Sequence, residues 1–272
     1  MRTAGSSPAQ ASDEDGPCLL VERDGPVARL TLNRPARFNA LSTEVLEALA
    51  EALGSVGGDA SVRAVVLGAR GRAFSAGHDL REMRARPGRE ARASLFGLCS
   101  EVMRALVALP QPVIARVQGL ATAAGCQLVA AADLAVAAES ARFAVSGVRT
   151  GLFCSTPSVA LSRNVGRKRA FEMLVTGEFV DARTAMAEGL VNRVAPDEGL
   201  DAAVDALLGS ILDKSAPALA MGKRLFYEQL ERPLDEAYAL AVRVMADNGE
   251  TEDAAEGLDA FLGKRDPTWH HR

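Results

Sequence analysis

Three short apolar runs set the layers this chain can build: Ala64-Val65-Val66-Leu67, Val113-Ile114-Ala115-Arg116-Val117 and Leu134-Ala135-Val136-Ala137. Bounded by polar or small residues, they read as buried strands. Helical patterns fall between them. Ser42 is a capping residue ahead of Val45, Leu46, Leu49 and Leu53, which share one face. Residues 91–109 form a second amphipathic pattern, stopped by Pro110, and residues 125–132 read as a short buried helix. Strands alternating with helices predict an α/β layout with parallel pairing. At the front, Leu20-Val21-Glu22 and Ala28-Arg29-Leu30-Thr31-Leu32 flank Asp24-Gly25 as a hairpin.

The last third has a different pattern. Asp181 caps a helix that Gly189 ends, and Leu190-Val191-Asn192-Arg193-Val194 reads as a strand. Beyond Pro196 the apolar spacing is helical, through Leu207, Leu208, Ile211 and Leu212, then Leu219, Leu225, Phe226 and Leu230, then Leu234, Tyr238, Val242 and Met245. The expected division is a disordered leader over 1–16, an α/β core over 17–196 and a helical C-terminal region over 197–272.

Composition excludes several functions. The formal net charge of −4 argues against a general nucleic-acid binder. A basic group, Arg163 with Arg167-Lys168-Arg169, is the best nucleic-acid candidate and reads more readily as a solvated face. The three histidines are His78, His270 and His271, which argues against a His-rich zinc site. The four cysteines are scattered without a CxxC pair, as expected of buried free thiols in a reducing compartment, here taken as the cytoplasm. No uncharged stretch is long enough to span a bilayer, and no basic-then-apolar segment marks a signal peptide.

Two loops can carry chemistry. Phe74-Ser75-Ala76-Gly77-His78-Asp79-Leu80 follows the first predicted strand and its small residues let a backbone N–H approach a ligand. Gln118-Gly119-Leu120-Ala121-Thr122-Ala123-Ala124-Gly125-Cys126-Gln127-Leu128 follows the next strand and opens a helix, where unpaired N–H groups and the positive dipole end gather. One donor from each, aimed at one point, makes an oxyanion hole for a thioester carbonyl.

With these loops, Leu32-Asn33-Arg34-Pro35, Phe38-Asn39-Ala40-Leu41, Asp133, Phe143, Leu174-Val175-Thr176-Gly177 and Gly189-Leu190-Val191 occur in order over most of the chain. The chain resembles the crotonase, or enoyl-CoA hydratase/isomerase, superfamily, and its Gly-Leu-Ala-Thr-Ala-Ala-Gly-Cys-Gln-Leu and Gly-Leu-Phe-Cys-Ser-Thr-Pro segments resemble the enoyl-CoA hydratase domain-containing branch. The resemblance implies an α/β spiral of repeated ββα units, a helical C-terminal trimerisation region, and assembly as trimers or dimers of trimers. It implies an acyl-CoA substrate of fatty-acid metabolism, CoA arriving with the substrate and no metal or redox cofactor. By position, the N–H groups of His78 and Ala124 would be the oxyanion donors. Asp79, Leu80 and Arg81 would flank the thioester, and Arg37, Asn39 and Ala40 would lie along the CoA. Lys264 and Arg265 match a basic pair suited to CoA phosphates.

One departure bears on the reaction. The resemblance implies two glutamates that hold and deprotonate water, and the residues at those positions are Gln127 and Gly147. Glutamine can orient a water but cannot take its proton near neutral pH. Thioester polarisation is expected to persist while standard hydration is not. Ser146, Arg149, Thr150, Cys154 and Ser155 lie where a substitute group could face the acyl chain. The His78 imidazole is a further acid or base candidate, and Glu82 can point to the cleft or to water. Two functions follow: an enzyme of the lyase or isomerase class on acyl-CoA thioesters, or a silent CoA-ester-binding or regulatory protein.

Overall fold

The computed structural model describes residues 16–271. The leader expected over 1–16 therefore lies almost wholly outside the described residues.

The chain opens with an antiparallel hairpin, β1 (Leu19–Asp24) and β2 (Val27–Leu32). Asp24 pairs with Val27, so Gly25 and Pro26 form the tip, one residue later than the Asp24-Gly25 turn expected. Helix α1 (Thr43–Gly57) starts at Ser42, whose hydroxyl accepts the Val45 N–H. The chain then repeats one pattern: a long strand, a corner, a three-residue strand, and a helix. The first round is β3 (Ala64–Ala69), β4 (Ala73–Ser75), α2 (Leu80–Ala85) and α3 (Arg89–Ala108). The second is β5 (Val113–Val117), β6 (Leu120–Thr122) and α4 (Ala124–Ala131). The third is β7 (Leu134–Ala138), β8 (Arg142–Ala144), α5 (Ser155–Asn164) and α6 (Arg167–Thr176). β9 (Val180–Asp181), α7 (Ala182–Ala187) and β10 (Arg193–Ala195) close the α/β part.

The long strands form one sheet in the order β1-β2-β3-β5-β7-β10, parallel from β2 onward, and the short strands a second in the order β4-β6-β8-β9. This is the expected spiral of ββα units. The short strands lie where the sequence read a loop over 70–79 and a turn over 119–124. Three residues are too few to show a period of two. The predicted strand over 190–194 is displaced, because only Arg193–Ala195 pairs, with β7.

The long sheet is covered on both faces, as parallel sheets require. Along each strand alternate residues point to opposite sides. Val65, Leu67, Val113, Ala115 and Val117 pack with α1, α3 and α4. Ala64, Val66, Ile114, Val136 and Ala138 pack against Leu200, Val204, Leu207 and Leu208 of α8 (Leu200–Leu212). Helix α8, grouped by sequence with the C-terminal helices, is thus a layer of the sheet. Three helices follow: α9 (Ala216–Leu230), α10 (Leu234–Gly249) and α11 (Glu252–Gly263).

Helix α9 has no fully buried residue. A polar anchor ties it to the core. Lys223 Nζ donates to the Leu106 and Gln111 carbonyls at 2.9 and 3.0 Å and to Asp133 Oδ2 at 2.6 Å. The Tyr227 hydroxyl donates to Asp133 Oδ1 at 2.8 Å, and the Val113 N–H to Asp133 Oδ2. Asp133 therefore serves structure. Burial pushes its carboxyl up and the Lys223 ammonium down, each opposed by the other's charge.

Cys18, Cys99, Cys126 and Cys154 are free, and all but Cys18 are buried. Burial pushes the Cys99 and Cys126 thiols up to about 12. Among the described residues no helix is long and apolar enough to cross a membrane.

Packing and the ion pairs set the expected cost of four substitutions. The first turn of α4 presses on β4, and a Cβ on Gly125 would stand 2.2 Å from the Ser75 carbonyl oxygen. Gly125→Ala should cost about 1–3 kcal/mol in urea unfolding, the usual range for an overpacked core. Gly97→Ala in α3, whose Cβ meets nothing within 4 Å, should be neutral or stabilising by up to about 1 kcal/mol. Lys223→Met strands a buried carboxylate and should cost about 3–5 kcal/mol. Arg23→Ala, which breaks the exposed Arg23–Asp59 pair, should leave the urea midpoint nearly unchanged.

Candidate active site

The loop after β4 is held from beneath by Asn39. This residue is buried in a left-handed conformation, φ 52°, and its amide is fully engaged. Nδ2 donates to the Arg70 and Ala73 carbonyls, both at 2.8 Å, and Oδ1 accepts the Arg34 N–H at 2.8 Å. The Ser75 hydroxyl donates to the Asn39 carbonyl at 2.9 Å and accepts the Gly77 N–H at 3.2 Å. On the other side, the Leu41 N–H donates to the Gly77 carbonyl at 2.8 Å and the Asp79 N–H to the Leu41 carbonyl at 3.3 Å. Every neighbour of His78 is thereby fixed, while the His78 N–H has no acceptor among the described residues.

The second loop turns sharply at Ala123, φ 52° and ψ −120°. Such a conformation costs a non-glycine residue about 1–3 kcal/mol and persists only where the surroundings hold it. The Ala123 N–H donates to the Ala144 carbonyl at 2.9 Å, and α4 begins at the next residue. The Ala124 N–H has no acceptor among the described residues, as expected of a helix's first donors. The two loops touch. Gly77 has φ +85°, and a Cβ there would lie 2.9 Å from Ala123 Cβ and 3.1 Å from the Ala124 nitrogen. Only glycine meets both demands.

A cavity of about 230 Å³ opens beside these loops. Leu80, Met83, Phe96, Leu152, Phe153 and Pro157 give its apolar wall, with His78, Ser146, Thr150, Cys154, Ser155 and Thr156 as its polar side chains. No carboxylate lines it. The His78 imidazole lies 5.2 Å from Phe96, ring to ring, with both ring nitrogens buried away from solvent. Burial pushes its pKa down, opposed in part by the Leu41 backbone and the Glu82 carboxylate.

The opposite wall is the turn from Ser146 to Ser155. Gly147 is packed tight: its N–H meets Cys154 Sγ at 3.2 Å, and its carbonyl accepts the Leu152 N–H and the Thr150 hydroxyl. A Cβ on Gly147 would stand 2.4 Å from the Leu152 carbonyl oxygen and 2.8 Å from Cys154 Sγ. The loop has closed over the place a longer side chain would need. Gln127 is buried on α4, its Oε1 without a partner, and is not among the residues lining the cavity.

The other sequence candidates divide. Ser146, Thr150, Cys154 and Ser155 line the cavity, while Arg149 turns to the Phe179 ring, 5.7 Å away. Leu80 is at the wall and more than half exposed. Asp79 caps α2, accepting the Arg81 and Glu82 N–H groups at 3.0 and 3.3 Å. Glu82 faces neither the cleft nor water alone, since its carboxylate takes the N–H and hydroxyl of Thr43. Asn39, expected along the CoA, spends its side chain on the backbone. Arg37 and Ala40 lie on the same turn, Arg37 at the surface. Arg265 is held by Glu256 through both terminal nitrogens, at 2.5 and 2.7 Å, which leaves it ill placed for a phosphate. Arg163 pairs with Glu231, and Arg169 with Glu172 and Glu188, so much of the basic cluster is neutralised within the chain. Among the described residues no three His, Cys, Asp or Glu side chains are placed to hold a metal ion. Sequence reasoning singled out the loop that holds Ser75 but not that residue's hydrogen bonds, and it missed Phe96; both act through contacts between distant segments.

Comparison with known proteins identifies the family. A family model described as enoyl-CoA hydratase/isomerase matches residues 22–272. The chain is 42% identical over 258 residues to human "Enoyl-CoA hydratase domain-containing protein 3, mitochondrial", covering 95% of this chain and 85% of the relative. A crystal structure of an enoyl-CoA hydratase from Mycobacterium smegmatis superposes with a TM-score of 0.93 at 60% identity, covering 94% of this chain and all of that one. The crystal structure of the human domain-containing protein 3 gives 0.90 at 41%, covering 93% and 100%. The vertebrate relatives are named as mitochondrial, and this overturns the cytoplasmic expectation. Scattered free cysteines indicate a reducing environment, which more than one compartment provides. The chain belongs to the enoyl-CoA hydratase/isomerase family, alongside the enoyl-CoA hydratase domain-containing branch.

Proposed function

We propose that this protein binds an acyl-CoA thioester with its acyl group in the 230 Å³ cavity and polarises the carbonyl with the N–H groups of His78 and Ala124. One observation carries this reading. Two unpaired backbone donors, on loops pressed together at Gly77, stand at one end of an apolar cavity. A carbonyl oxygen placed there gains charge as the thioester reacts, and fixed donors stabilise that charge without rearranging. Each such donor is worth on the order of 10²–10³-fold in rate.

The reaction is not ordinary hydration. Water addition needs a group to take the water's proton and one to protonate carbon, each worth about 10²–10⁴-fold. The resemblance implies carboxylates for both roles at positions that hold Gln127 and Gly147, and the cavity wall contains none. The reading is an enzyme of the lyase or isomerase class whose proton transfer uses another group. CoA comes with the substrate and no metal or redox cofactor takes part. Arg37, Ala40, Leu80 and Arg81 are the proposed CoA contacts from the resemblance, and of these Leu80 lines the cavity.

The protein is also proposed to assemble as a trimer or dimer of trimers through its C-terminal helices. Phe226, Leu230, Tyr238, Val242, Met245 and Phe261 are all more than half exposed on α9, α10 and α11. So much apolar surface is unusual on a monomer. Sedimentation should give a homo-oligomer, and a monomer at micromolar concentration would contradict this.

Calorimetry with butyryl-CoA and a crotonyl-CoA hydration assay test the function. Binding is expected, with hydration at least about 10²-fold below a hydratase bearing both carboxylates. Gly147→Glu should not restore hydration, alone or with Gln127→Glu, because its side chain has no room without displacing the 146–155 turn. Failure to bind acyl-CoA would reject the site, and ordinary hydration rates would reject the reading of Gln127 and Gly147. Binding with no turnover of any acyl-CoA would favour a silent CoA-ester-binding protein.

A further inference from the structure

An acyl chain whose carbonyl is held at His78 and Ala124 extends into the 230 Å³ cavity, and the cavity's closed end decides how long that chain can be. Helix α2 leads inward from the mouth. Leu80 at its start is more than half exposed, while Met83, one turn along the same helix, is 7% exposed. Phe96 of α3 joins Met83 in the apolar wall. No charged side chain among the described residues lines this cavity except at its mouth through neutral groups, so the chain it holds is apolar.

Behind Met83 lies a second cavity of about 110 Å³, between α2 and α3. Its apolar surface comes from Ala91, Leu95 and Leu98 of α3. Its carboxylate, Glu82, is taken by the N–H and hydroxyl of Thr43 and pairs with Arg86 at 3.5 Å. Among the described residues Met83 alone lines both cavities. Leu95 and Phe96, neighbours in sequence, face one cavity each. A single residue of α2 thus stands between the two spaces.

The volumes give this partition a consequence. An apolar cavity of about 150 Å³ holds benzene, or about 25 Å³ for each carbon. On that scale 230 Å³ takes roughly nine non-hydrogen atoms, an acyl group of about eight carbons with its oxygen. The two cavities joined, about 340 Å³, would take an acyl group of roughly twelve carbons.

We propose that Met83 sets the acyl-chain length: it ends the acyl cavity and restricts the protein to short and medium apolar chains, and the space behind it is a chain-end subsite closed by the methionine. This rests on the acyl-CoA reading and names the substrate class within it.

The test is calorimetry of the full-length protein with saturated straight-chain acyl-CoAs from butyryl-CoA to dodecanoyl-CoA, each below its micelle concentration. A buried methylene tightens binding about fourfold. In the wild type, tightening is expected from butyryl-CoA to octanoyl-CoA, with dodecanoyl-CoA no tighter than octanoyl-CoA. In Met83→Ala, dodecanoyl-CoA should bind at least about tenfold tighter than octanoyl-CoA, because the added methylenes enter the second cavity. Met83→Phe, which fills more of the acyl cavity, should end the tightening before octanoyl-CoA, and it carries the test if the alanine protein does not fold. Leu98→Ala, at a residue that lines only the second cavity, should keep the wild-type profile. Unbroken tightening to dodecanoyl-CoA in the wild type would overturn the role of Met83. A folded Met83→Ala or Met83→Phe protein with the wild-type profile would do the same, as would a changed profile in Leu98→Ala. Each of these results leaves the acyl-CoA reading standing. Absence of binding of every acyl-CoA by the wild type would overturn both.

Discussion

The site depends on one close approach. The first turn of α4 rests on the end of β4 so tightly that no atom beyond hydrogen fits on Gly125 beneath the Ser75 carbonyl. Those two elements belong to successive rounds of the spiral, and the contact brings the loop leaving β4 against the loop entering α4. Ser75 extends the contact by tying its hydroxyl to the Asn39 carbonyl and the Gly77 N–H. Asn39 in turn gathers the backbone of Arg34, Arg70 and Ala73. The strain at Ala123 is held by this packing, and its consequence is a pair of backbone donors facing one cavity. Backbone donors on rigid elements need no reorganisation when charge develops, which is where catalytic polarisation is strongest.

On the proposed reading, a site without carboxylates need not be a site without function. The donors belong to the backbone and survive any side-chain change that leaves the two loops in place. At Gly147 the chain closes on itself through Cys154 and Leu152, so the position has neither a carboxylate nor the space for one. The cavity is largely apolar and no carboxylate lines it.

Much of this was legible in the sequence because it depends on local pattern. The runs at 64–67, 113–117 and 134–137 are buried on both faces and carry no polar interruption that would disguise a strand, apart from Arg116 at a sheet end. The Gly77-His78 and Ala123-Ala124 loops were readable because small residues after a strand have few other uses. The short strands β4, β6 and β8 were not, since three residues show no period and their pairing is set by distant corners. Nor was the allegiance of α8: its apolar spacing is that of any amphipathic helix, and only Val66, Ile114 and Val136 across the sheet identify its partner. The role of Asn39 was misread for a similar reason, because its three hydrogen-bond partners are spread over more than thirty residues of chain. The tight packing at Gly147 is invisible in sequence, where a glycine records only the absence of a side chain.

The central claim is that two backbone N–H groups polarise a bound thioester in a site without carboxylates. Isotope-edited infrared spectroscopy of butyryl-CoA carrying ¹³C at its carbonyl tests it most directly. Two donors from His78 and Ala124 should move the bound carbonyl stretch to lower wavenumber than that of the free thioester in water, and should do so equally in the His78→Gln protein. A bound carbonyl at the same or higher wavenumber would mean that the oxygen meets no donor, and the account of this site would be wrong.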